Sequence, residues 1–61
     1  MKNLKHYSFV FRNNSGDIVA TMTMATPREI NVFELGDVLS MSLIHQLKIN
    51  VTYQVTVDNI D

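Results

Sequence analysis

Three stretches of strict alternation and one helical stripe predict an α+β domain in which a three-stranded antiparallel sheet carries a single helix on one face. The clearest is 47–57, where Leu47, Ile49, Val51, Tyr53, Val55 and Val57 interleave with Lys48, Asn50, Thr52, Gln54 and Thr56. Period two turns the apolar set to one side of a strand and the polar set to the other. Between the second and third alternating stretches, Val32, Leu35, Leu39 and Leu43 recur at helical spacing.

The first strand is expected over 6–12, with Tyr7, Phe9 and Phe11 on one face, and the second over 17–25. The turn cluster Asn13-Asn14-Ser15-Gly16 joins them as a hairpin. An even-length loop sets Phe11 opposite Ile18, Phe9 opposite Ala20 and Tyr7 opposite Met22, with Arg12 beside Asp17. Shifting by one residue scatters the apolar face, so the pattern selects this register over a three-residue bulged loop.

Two helix starts compete. Thr26-Pro27-Arg28-Glu29 offers a hydroxyl cap, Pro in the first turn and Glu at the third position; Asn31-Val32-Phe33-Glu34 offers a second cap five residues later. Phe33, Ile44 and Leu47 widen the buried stripe on one flank. Gly36 interrupts good helix-forming sequence at a cost of about 1 kcal/mol relative to Ala. It falls on the buried side, where a missing side chain lets a continuous helix approach the sheet; a kink before Asp37 is the alternative.

The order ββαβ places strand three antiparallel to strand one in a 2-1-3 sheet. A parallel pairing with strand two obeys the handedness of crossovers but leaves the aromatic strand at an edge. No linker or repeat divides the 61 residues, which form one small domain over 1–61. Such a chain hides a small share of its surface on folding. With no cysteine for a disulfide and two histidines for a zinc site, self-association is the remaining common supplement.

Composition excludes more than it nominates. The formal charge of −1 gives neither a basic nucleic-acid footprint nor the acidity of a DNA mimic. Lys2 and Lys5 precede an alternating stretch rather than an apolar leader core, and no apolar run approaches the roughly 20 residues of a membrane span. A cytoplasmic protein without membrane attachment is expected.

Each candidate for chemistry has an ordinary reading. His6 shares a strand face with Ser8, yet no third residue is spaced to orient the imidazole. His45 and Glu34 lie about 16 Å apart along a helix at 1.5 Å per residue, too far to act as a pair. The carboxylates Asp17, Glu29, Glu34, Asp37 and Asp58 match no ligand loop. No catalytic residue, metal or cofactor is expected; a small DNA-acting enzyme is the alternative. Tyr7, Phe9, Phe11 and Tyr53 suit a base-stacking platform in type but are needed for the core. Nucleic-acid contact is left to Arg12 and Lys48 on the polar sheet face, and is not favoured.

Surfaces for partners are better supported. Glu34, Val38, Met41 and His45 form a line on the far side of the helix, where the two apolar members have no core to enter. The polar sheet face, rich in Thr with Val10, Val19 and Ala25 set into it, suits burial against a second sheet. Strand three, without Pro or Gly, is a hazard if left as an open edge. A homodimer or higher oligomer using Asn50, Thr52, Gln54, Thr56, Val10 and Val19 is therefore expected. In size and style the chain is similar to the short accessory proteins of bacteriophages and mobile elements. Many of these inhibit or redirect a host protein, anti-phage defence components included, by binding it. That resemblance implies a non-enzymatic interaction module with a host protein partner.

Overall fold

The computed structural model describes residues 4–60, the last two by backbone alone, so that Lys2 of the leader argument lies outside the described residues. Strands β1 (Leu4–Arg12) and β2 (Ile18–Thr26) are followed by helix α1 (Val32–Leu47) and strand β3 (Thr52–Ile60). The sheet order is β2-β1-β3, with both pairings antiparallel. This is the expected ββαβ architecture.

The aromatic strand is central, and its alternation builds the core. Tyr7, Phe9 and Phe11 are buried, with Phe9 and Phe11 rings 6.3 Å apart and nearly parallel. Val32, Leu35, Leu39 and Leu43 pack down on them from α1, and Met22, Met24, Tyr53 and Val55 pack from the flanking strands. The rings are thus enclosed and present no stacking platform.

The hairpin register differs from the sequence expectation. Phe11 faces Ala20, Phe9 faces Met22 and Tyr7 faces Met24, while Arg12 faces Ile18 across an irregularity that leaves Val19 as the extra residue. Turn chemistry explains the shift. The Asn13 side-chain oxygen accepts the backbone N–H groups of Ser15 and Asp17, Gly16 N–H returns to Asn13 O at 3.0 Å, and Gly16 sits at φ +85°. Those contacts form a three-residue loop, which alone would put the wrong face of β2 toward the core. The bulge at Val19 restores the parity that the apolar pattern demands. Val19 consequently packs against the core instead of the polar sheet face, Ile18 is left exposed, and Arg12 donates to Gly16 O at 2.9 Å rather than meeting Asp17.

Helix α1 begins at the second candidate cap. Asn31 Oδ1 accepts Glu34 N–H at 3.1 Å, and the Glu34 carboxylate accepts from Asn31 Nδ2 at 3.4 Å, a reciprocal pairing in the manner of a capping box. Thr26 Oγ1 instead accepts from Arg28 N–H in a local turn, and Ile30 N–H donates to Tyr7 Oη as the chain crosses toward β1. The helix runs without a break through Gly36, which is buried.

Two further expectations are corrected. The alternation over 47–57 is not one strand: Leu47 ends the helix, Lys48 caps it in the left-handed region at φ +60°, and pairing begins at Thr52. The Phe33, Ile44 and Leu47 flank is exposed rather than buried, the core side of α1 being limited to Val32, Leu35, Leu39 and Leu43. The result is an extended subunit of 43 × 18 × 14 Å. Its radius of gyration of 12.8 Å exceeds the roughly 10.5 Å of an average domain of this length. No described helix is long and apolar enough to cross a membrane.

Candidate protein-interaction surface

A helix that is apolar around most of its circumference needs cover on more than one side. One side of α1 is satisfied by the sheet. On the other, Val38 and Met41 stand 59% and 70% exposed less than one turn apart, and Phe33 is 69% exposed near the helix start. Of the expected partner line, Glu34 is engaged with Asn31 in the helix cap, so its carboxylate serves the fold as well as the surface.

Beside this line, where α1 stands away from β2, an open groove of about 340 Å³ is lined by Met24, Ile30, Asn31, Glu34, Leu35 and Val38. A second hollow of about 260 Å³ continues the β2 side between Ala20, Met22, Leu39 and Leu43. Sequence reasoning missed this groove. The signal was present in the large, unbranched Met22 and Met24 on an edge strand, which fill space loosely and adapt to partners.

At the far end of α1, a shallow depression of about 620 Å³ brings His45, Lys48 and Asn50 together with Asn14 and Ile44. His45 and Lys48 sit at the helix C-terminus, where the Lys48 ammonium offsets the exposed carbonyl ends of the helix. Lys48 and Asn50 therefore leave the sheet face on which the alternation placed them. Arg12, bonded to Gly16 O, is held at the hairpin. The two cations expected to contact nucleic acid belong to different elements, Arg12 to the end of β1 and Lys48 to the C-terminal cap of α1.

The open sheet face carries His6, Ser8 and Val10 on β1, flanked by Thr21 and Thr23 on β2 and by Gln54, Thr56 and Asp58 on β3. Val10 is half-buried between Thr21 and Gln54, and Thr52 stands opposite Arg12. Asp58 lies directly across from His6, the acidic neighbour that sequence spacing did not reveal. The pair makes no ion pair within 4.0 Å; among the described residues Lys5 and Glu29 form one, at 3.2 Å. Also among them, no three His, Asp or Glu side chains converge to hold a metal ion.

Tyr53 ties the helix start to β3: its hydroxyl lies 3.3 Å from both Phe33 O and Asp37 Oδ1. Partial burial, and then the adjacent Asp37 carboxylate, raise the Tyr53 phenol above its ordinary 10.0. That contact fixes the orientation of α1 and so the direction in which Val38 and Met41 face. Comparison with protein-family models, with curated proteins and with solved structures finds no match.

Proposed function

We propose that this chain is a non-enzymatic protein-binding module whose partner surface is the outer line of α1, centred on Val38 and Met41, together with the groove between α1 and β2. The observation that carries this reading is the exposure of those two side chains on a helix whose opposite side is already packed. Fully burying an apolar side chain of this size contributes about 1.5–3 kcal/mol. Two such residues are sufficient anchors for an interface whose energy is concentrated in a few side chains. The similarity in size and style to phage accessory proteins makes a host protein, anti-phage defence components included, the partner class to test first.

Quantitative capture from a bacterial lysate, comparing the wild type with Val38→Asp, Met41→Asp and the open-face control Thr23→Asp, tests it. The reading expects a defined partner retained by wild type and Thr23→Asp and lost with either helix variant. Equal recovery with all four folded proteins rejects the helix surface.

A further inference from the structure

The outer edge of β3 carries a second surface, separate from the α1 line. Strand β3 is nine residues long and ends the sheet on its side, so one row of its backbone groups has no neighbouring strand. Natural edges of this length are protected by lysine, proline, a bulge or a covering element. β3 contains no Lys or Pro and one charged residue, Asp58, and its pairing with β1 runs without a shift. Apolar side chains flank the same edge on the helix side. Val57 is 47% exposed, and Phe33 stands above the strand through the Tyr53 hydroxyl contact to its carbonyl.

We propose that β3 pairs antiparallel with β3 of a second copy of this chain, with Val55 opposite the partner's Val55. The two sheets then join into one six-stranded sheet carrying both helices on the same face. A two-fold axis perpendicular to the sheet keeps every residue on its own face, so residues that face each other have the same parity. In this register Tyr53 meets Val57 of the partner subunit and the helix side of the seam is wholly apolar. On the open face Thr52 meets the partner's Asp58, and Gln54 meets the partner's Thr56. Centring the pair on Asp58 would oppose two carboxylates. Sliding toward Gln54 would set Val57 against Val51, which lies outside the strand and is already buried.

The area is that of a weak association. A seven-residue ladder is about 23 Å long; across the 14 Å thickness of the subunit its footprint is roughly 320 Å² on each copy, about 640 Å² in total, in the range of weak, concentration-dependent contacts rather than of obligate ones. The subunit has surface to spare, exposing 4555 Å² where a folded chain of 7.0 kDa averages about 4,000 Å². This seam uses Phe33, Val55 and Val57, so its loss leaves the Val38/Met41 reading undecided, and the reverse.

The chain has no cysteine, which makes single-cysteine variants clean reporters. Sedimentation equilibrium at tens of micromolar is expected to give twice the 7.0 kDa chain mass. Under diamide, Val55→Cys is expected to form a covalent dimer rapidly and Val57→Cys to form little. The two Val57 positions stand four residues apart along the paired strands, about 13 Å, beyond the roughly 4.4–6.8 Å Cα separation of a disulfide. If Val55→Cys does not fold, Val57→Lys at an exposed position carries the test, with an expected tenfold or greater weakening of self-association. A wild-type chain that sediments as a single copy at 100 micromolar overturns the proposal. So does faster cross-linking at 57 than at 55, or Val57→Lys associating as tightly as wild type.

Discussion

Gly36 of α1 lies flat against the ring of Tyr53 on β3: a Cβ built on the glycine would stand 2.9 Å from Tyr53 Cδ2 and closer still to Cε2 and Cζ. The helix can approach the sheet only because that position carries no side chain. Gly36→Ala therefore sets a helix-propensity gain of about 1 kcal/mol against an overpacking cost of typically 1–3 kcal/mol. A net loss of stability is expected in urea unfolding. In a Tyr53→Ala background the obstruction is gone and the same substitution is expected to stabilise, a reversal of sign that isolates the contact.

Tyr53 also makes the fold sensitive to alkali. Its phenol is raised in the folded chain above the 10.0 of an unfolded one, by partial burial and by Asp37. As pH climbs past 10 the unfolded chain loses this proton first, so the unfolded state binds fewer protons and stability falls with rising pH. The contribution is complete below pH 10 and is lost as pH rises through the folded value. Asp37→Asn removes the carboxylate. Ultraviolet titration at 295 nm is expected to show tyrosine ionising at lower pH in that variant.

How far the sequence predicts this molecule depends on which force sets each feature. Alternation in Tyr7–Phe11 and the Val32, Leu35, Leu39, Leu43 stripe report burial, which decides strand order and helix face, and both agree with the structure. The exposure of Val38 and Met41 follows from the same wheel. The hairpin register depends instead on the Asn13 side chain and on Gly16, whose local geometry competes with the apolar pattern until a bulge at Val19 reconciles them. The boundary near Leu47 was hidden for another reason: this helix ends on a lysine where a glycine would have marked the stop, and period-two alternation continues through it by coincidence. The groove beside β2 depends on α1 sitting closer to β3, through Gly36 and Tyr53, than to β2, which no periodicity encodes.

The helix start offers a discriminating pair. Asn31 Oδ1 holds Glu34 N–H, whereas Thr26 Oγ1 holds only the turn at Arg28. Asn31→Ala is expected to cost about 1 kcal/mol, the usual loss for a side-chain N-cap. Thr26→Ala is expected to leave helix content unchanged by circular dichroism and to cost less than Asn31→Ala in the same denaturation series.

Lys48 occupies φ +60°, a conformation in which a Cβ is unfavourable and glycine is the common occupant after a helix. Its N–H donates to Ile44 O at 2.8 Å, a bond that glycine retains. Lys48→Gly is thus expected to raise stability by roughly 1 kcal/mol, read as a higher urea midpoint. Lys48→Val, branched at Cβ, is expected to lower it. An unchanged midpoint for both would mean that the left-handed cap is not maintained in solution.

The two sides of α1 differ in what they tolerate. Met41 is 70% exposed, whereas Leu39 packs on the aromatic core. Met41→Asp is expected to change unfolding free energy by no more than about 0.5 kcal/mol, as substitutions at exposed positions usually do. Leu39→Asp places a carboxylate against Phe9 and Phe11 with no partner; burying an unpaired charge is among the few mechanisms that unfold a small domain outright. Thermal denaturation followed by circular dichroism, at a concentration low enough to hold any association constant, separates the two. A large loss at Met41 would place that side chain in a packed interface already present in the purified protein.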